Sequence, residues 1–235
     1  MISYKKLLYF DIETAGEFKN WEDFSNTNKD GASAFKIKYN RAQKNNNNHW
    51  DGTIDDAYLN NSPLLAEYGK IICISYGVFI NGKFSISSKS INDFPDEKGL
   101  VNFISKLFTN IEPKGLFLSG HNIRGFDIPF IFKKMLKYSI KIPNNISIID
   151  KKPWDIKIYD TGDITKGTGF VSSSLADVTY LLGLKSPKDD IFGGEVHGIY
   201  WNDNDVDRIV VYCEKDVVAI KDICVRLNEC FGETI

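Results

Sequence analysis

The chain has 235 residues, 43% of them hydrophobic, 26% charged and 13% aromatic, and its 29 Lys and Arg face 31 Asp and Glu for a formal net charge of −2. This is the balance of a globular chain, and it excludes a surface uniformly attractive to nucleic acid or anionic membrane while leaving room for a local basic groove. No apolar run approaches the ~18–20 residues of a membrane span and the N-terminus has no cleavage pattern, so one cytosolic domain over residues 1–235 is expected. The cysteines (Cys73, Cys213, Cys224, Cys230) lack C-x-x-C spacing and only His49, His121 and His197 accompany them, which argues for reduced thiols rather than a zinc site.

In chain order, residues 7–13 read as a buried strand that ends in the turn-prone Thr14-Ala15-Gly16. Residues 17–67 fit no regular pattern. The tract Asn45-Asn46-Asn47-Asn48 is polar and flexible in composition, yet Phe18, Trp21, Phe24, Phe35, Tyr39, Trp50 and Tyr58 flank it, which predicts a partly ordered insertion. Residues 70–80 and 83–88 read as strands joined by Asn81-Gly82, a strong hairpin signal. A helix over 97–110 follows from the stripe Leu100, Phe103, Ile104, Leu107, Phe108, then a short strand at 116–118 and a second one-faced helix over 128–138. Residues 156–159 form a weaker strand. Ser174 and Asp177 make a capping box for a helix that stops at Gly183, and a long helix spans 204–229. Three antiparallel strands followed by alternating helix and strand predict an α/β fold with a mixed central sheet flanked by helices.

Three places put acids where the pattern asks for apolar residues. Asp11 and Glu13 share the face of Leu7 and Tyr9; two carboxylates buried side by side ask for a compensating cation, unless the strand ends at Phe10 and both are solvated. Asp127 follows the segment Gly120-His121-Asn122-Ile123-Arg124-Gly125-Phe126 and stands where a helix N-cap belongs, with Pro129 in the first turn and Phe126 and Ile131 placed as a staple; capping alone accounts for it. Arg124, one of four arginines, sits between glycines that would let a phosphate approach. Tyr212 and Asp216 lie one turn apart at the edge of the stripe Val206, Ile209, Val210, Cys213, Val217, Ile220, Cys224, Leu227, where a rim hydrogen bond is the alternative. Together, Asp11, Glu13, Asp127 and Asp216 make a hard oxygen donor set that selects Mg²⁺ or Mn²⁺, and a carboxylate-held pair of such ions suits phosphoryl displacement.

These residues carry a family resemblance. Phe10-Asp11-Ile12-Glu13-Thr14, Asn122-x-x-x-Phe126-Asp127 and Tyr212-x-x-x-Asp216 resemble, in order, the three motifs of the DEDD-superfamily 3′–5′ exonucleases of tyrosine subtype (DEDDy), similar to the proofreading domain of family-B DNA polymerases and its free-standing relatives. In the histidine subtype a His stands five before the last Asp, where this chain has Val211. Segments around Ser174-Leu175, Leu182-Gly183-Leu184 and Gly194-Glu195-Val196 extend the likeness.

The resemblance implies an RNase H-like fold and a two-metal-ion 3′–5′ exonuclease that hydrolyses phosphodiester bonds at single-stranded DNA ends and releases nucleoside 5′-monophosphates. Asp11, Glu13, Asp127 and Asp216 would hold two Mg²⁺ or Mn²⁺ ions, Tyr212 would orient the attacking water, and Thr14, Asn122, Phe126 and Arg124 would contact substrate. No polymerase domain is expected after the third motif, so a polymerase or replication partner would act in trans. RNA is the alternative substrate; the alternative of another class is an inactive nucleic-acid-binding protein on this fold. Lys36, Lys38, Arg41 and Lys44, interleaved with Phe35 and Tyr39, would suit a single strand, with a solvated face as the plainer reading.

Overall fold

The apolar run from Leu7 becomes the central strand of the sheet. In the computed structural model, which describes residues 2–45, 50–152, 155–187 and 190–232, this run is β1 (Leu7–Gly16) and it pairs antiparallel with β2 (Gly69–Ile80). β2 turns through Asn81 and Gly82 into β3 (Lys83–Ser90). Both turn residues are left-handed, with φ of 51° and 78°, which is what a two-residue hairpin requires. On its other edge β1 runs parallel to β4 (Phe117–Gly120), which is itself parallel to β5 (Ile158–Asp160), giving the order β3-β2-β1-β4-β5. The expected mixed sheet is therefore present. β1 is longer than the sequence suggests, because a register shift between Glu13 and Thr14 lets pairing with β2 continue to Gly16.

The insertion folds into α1 (Trp21–Thr27), α2 (Lys29–Lys44) and α3 (Ile54–Asn61). Its aromatics build a core of their own: Phe24, Phe35, Trp50, Tyr58 and Tyr68 are buried together, with Phe24 stacked on Tyr58 at 5.1 Å. Asn46, Asn47 and Asn48 of the polar tract, and His49, lie outside the described residues. The core is joined to the end of β1 by short bonds. The Thr14 hydroxyl donates to the Pro63 carbonyl (2.7 Å), the Glu17 N–H to the Tyr68 carbonyl (2.8 Å), and the Gly16 N–H to His197 Nδ1 (2.9 Å). Gly16 is required there, since a Cβ would collide with Ser62 and His197.

α4 (Glu97–Ile111) and α5 (Asp127–Lys137) cover one face of the sheet, where Leu8, Phe10 and Ile12 pack. After β5 come α6 (Thr161–Lys166), α7 (Leu175–Leu181), opened by the expected Ser174–Asp177 capping box, and the short α8 (Val196–Gly198). A π-helical turn at Ile199–Asp203 leads to α9 (Val206–Phe231), which covers the other face against Leu7 and Tyr9. The result is a helix–sheet–helix sandwich, as expected of an RNase H-like fold. No helix among the described residues is long and apolar enough to cross a membrane.

Candidate active site

Alternation along β1 sends Asp11 and Glu13 toward the α9 face, next to the seam where Tyr212 and Cys213 pack against Ala15, Ile72 and Cys73. The contact is direct. The Cys213 thiol donates to the Asp11 carbonyl oxygen (3.3 Å) and to Asp11 Oδ2 (3.4 Å). One ligand atom each from Asp11, Glu13 and Cys213 lie within 4.8 Å of one another, a group able to hold a metal ion.

Asp127 approaches β1 from the opposite layer, beside this group but not within its 4.8 Å, and Asp216 likewise lies outside that group. It is not the helix cap: Phe126 holds that position without a side-chain cap bond, and Asp127 is the first helical residue. The turn before it leaves Asn122 at φ 59°, and Phe126 packs on Phe130 with ring centroids 5.7 Å apart. The carboxylate so released accepts the N–H of Ile12 (3.2 Å), the residue between Asp11 and Glu13. Tyr212 and Asp216, one turn apart on α9, are buried.

The electrostatics follow from this placement. Burial, and after it the negative charges of Asp127 and Asp216, push the Asp11 carboxyl well above its ordinary range. Burial and the charge of Asp11 do the same to Glu13. Burial raises Asp127 to about 7 against the bond from Ile12, which lowers it. Burial, then Asp216, Glu13 and Asp11, keep the Tyr212 phenol protonated far above neutrality. A cluster of this kind repels itself once ionised and is relieved by a hard cation, so the residues present fit a divalent metal ion.

The four residues expected to touch substrate differ in what the fold does with them. Asn122 is exposed and Phe126 half-buried at the mouth of the second motif. Thr14 is buried, its hydroxyl committed to Pro63. The Arg124 guanidinium, expected to be open to phosphate, is taken up by the protein: it donates to the carbonyls of Ile156 (3.0 Å) and Ile158 (3.2 Å) and pairs with Asp163 at 3.3 Å. The carbonyls before and at the start of β5 gain donors from it, while the side chain stays partly exposed.

Sequence reasoning missed two groups. Cys213 was legible only as a core residue of the α9 stripe. Asp160, buried at the end of β5, accepts the N–H groups of Asn122 (2.7 Å), Arg124 (2.9 Å) and Gly162 (2.9 Å). It shapes the loop that delivers Asp127; an acid closing a short parallel strand beside the second motif is the signal that could have found it. Asp160→Ala leaves three N–H groups without their acceptor and is expected to cost about 2–3 kcal/mol, with Asp160→Asn recovering part of it. Thermal unfolding measures the loss.

Residues 63–232, well over half of the chain, match a family described as predicted 3′–5′ exonucleases related to the exonuclease domain of PolB. The matched span contains Asp127, Tyr212 and Asp216 and begins after the helical insertion; the fold brings Asp11 and Glu13 to it through β1. No curated protein matches the chain. On the family match, the chain belongs to the 3′–5′ exonucleases related to the exonuclease domain of PolB.

Proposed function

We propose that the protein removes nucleotides one at a time from the 3′ end of single-stranded DNA, with two Mg²⁺ or Mn²⁺ ions held by Asp11, Glu13, Asp127 and Asp216. The observation that supports this reading is the burial of carboxylates around β1: Asp11 and Glu13 grouped within 4.8 Å, Asp127 bonded to the Ile12 N–H between them, and Asp216 with Tyr212 buried on α9, a placement that packing alone does not require. The ions, when bound, offset the charge of the scissile phosphate and acidify the attacking water.

The chain's own groups do the rest. Tyr212, whose phenol stays protonated far above neutrality and is hydrogen-bonded to Asp216 in this structure, would turn its O–H to the attacking water once Asp216 is engaged by metal. The Ile12 N–H fixes Asp127, so that carboxylates from opposite layers of the sheet keep a set spacing. Asn122 and Phe126 line the path of the terminal nucleotides. Water oxygen bonds to phosphorus, the bond from phosphorus to the 3′ oxygen of the penultimate residue breaks, and that oxygen takes a proton. The products are a nucleoside 5′-monophosphate and a strand shorter by one with a free 3′ hydroxyl.

Parallel digestion of 5′-labelled single-stranded DNA, single-stranded RNA and blunt duplex DNA tests the substrate. The expected result is a ladder shortening from the 3′ end, fastest on single-stranded DNA, with 5′-monophosphates as the only small product. Faster cleavage of RNA, or 3′-phosphate products, would overturn it.

A further inference from the structure

Along α2 the charge of the chain reverses. Lys29, Lys36, Lys38, Arg41 and Lys44 stand against the single acid Asp30, a net of +4 on one helix of a chain whose formal charge is −2. The helix buries Ala32, Phe35 and Ala42 against its own aromatic core, and Lys36, Lys38, Arg41 and Lys44 are exposed on the outward arc. Lys38 is spent in part, its ammonium 5.9 Å from the Trp50 ring centre. The aromatics expected to stack on bases are taken up in different degrees: Phe35 is fully buried, and Tyr39 is half-buried with its hydroxyl donating to the Gly52 carbonyl (2.7 Å). The outward arc thus carries the cations among Ile37, Asn40 and Gln43 with no fully exposed aromatic, a surface suited to a sugar–phosphate backbone rather than to stacking on bases.

The placement of this helix matters as much as its charge. The insertion leaves β1 three residues after Glu13 and returns at Pro63, whose carbonyl holds Thr14. His197 bridges both sides, taking the Gly16 N–H (2.9 Å) and bonding the Lys19 carbonyl (2.9 Å). Trp201 Nε1 donates to the Gly16 carbonyl (3.0 Å). An aromatic core and these bonds fix the arm to the strand that carries the first two carboxylates, so α2, about 24 Å long, is held at a set position relative to them.

We infer that the outward face of α2 binds the phosphodiester backbone of the single strand behind the 3′ end being cut, so the helical insertion is a strand-holding arm. This rests on the nuclease reading for the identity of the ligand. It supplies the attraction that the net charge of the chain withholds.

The test is the full-length triple variant Lys36→Glu, Arg41→Glu, Lys44→Glu, which leaves the buried face of α2 untouched. Its control is Lys83→Glu, Lys98→Glu, Lys114→Glu, which makes the same charge change at exposed positions elsewhere. Binding of 5′-fluorescent dT20 and U20 is read by anisotropy in EDTA between 50 and 200 mM KCl. The α2 variant is expected to bind both strands at least about ten-fold more weakly, with the slope of log affinity on log salt shallower by about 2, at roughly 0.7 per lost phosphate contact. The control should lose less than half as much. If the Glu variant does not fold, the corresponding Gln variant is read with a smaller loss of the same sign. Equal losses in the two variants, or none in either, overturn the inference. Because binding is read without metal or turnover, failure of this inference is told apart from failure of the nuclease reading, which an inactive wild type would show separately.

Discussion

Asp11→Asn should remove hydrolysis while making the metal-free protein more stable. The carboxylate is expected to supply several kcal/mol of transition-state stabilisation through the ion it holds, so its loss lowers turnover on the order of 10³-fold or more. In EDTA the same substitution removes a buried charge that Asp127 and Asp216 repel. At about 2–4 °C per kcal/mol for a chain of this size, relief of even one or two kcal/mol is a measurable rise in Tm. The pH dependence has a definite sign. Asp127 is raised from 3.8 to about 7, and Asp11 and Glu13 are raised as well. The folded state therefore binds more protons than the unfolded chain between pH 3.8 and about 7, and the stability this lends is lost as pH rises through that window. In EDTA, Tm of the wild type is expected to fall from pH 5 to pH 8, and Mg²⁺ should raise it more at pH 8 than at pH 5. A Tm that falls in Asp11→Asn under EDTA would contradict the repulsive cluster.

Lys134→Ala should be the most destabilising single change away from the carboxylates. Lys134 has no solvent exposure, and its ammonium donates to the Gly69 carbonyl and pairs with Glu97 at 3.4 Å. Glu97 is nearly as buried; its carboxylate also accepts the Ile71 N–H (2.9 Å) and the Tyr138 hydroxyl (2.6 Å). The network joins α4, α5 and the start of β2, and so holds the helix that begins with Asp127. Removing the cation leaves a buried carboxylate without its countercharge, at a cost of about 3–5 kcal/mol. Set against a typical total of about 5–15 kcal/mol, that is a large share, and a drop in Tm of roughly 6–20 °C. The double variant Lys134→Met, Glu97→Gln removes both charges and should recover much of the loss. Denaturant unfolding of the wild type, Lys134→Met, Glu97→Gln and the double variant gives the coupling; additive losses would mean that the pair is not the source.

The strands and long helices were legible because each signal is local. Asn81-Gly82 marks a turn, the Ser174–Asp177 box marks a helix start, and the stripe from Val206 to Leu227 marks one face of α9. Asp127 was misplaced by one position for a reason of the same scale: the turn at Asn122 puts Phe126 at the cap, and the acid is then free to take a partner 115 residues away. The helices of the insertion were hidden because the buried stripe of α2 is mostly alanine, Ala32 and Ala42 beside Phe35, with Tyr39 half-buried, and reads as weakly amphipathic. The four carboxylates and Tyr212 were legible as anomalies, since an acid on an apolar face has to be accounted for. The thiol beside Asp11 and the acceptor role of Asp160 were not, because both depend on contacts between segments that no spacing reports.

The central claim is that buried carboxylates hold divalent metal for removal of nucleotides from a 3′ end. One digestion series tests it: 5′-labelled single-stranded DNA with wild type and Asp11→Asn, each in Mg²⁺, Mn²⁺ or EDTA. The account predicts a ladder descending one nucleotide at a time from the 3′ end, in the wild type and only with metal. A ladder of equal strength from Asp11→Asn, or one that survives EDTA, would contradict it.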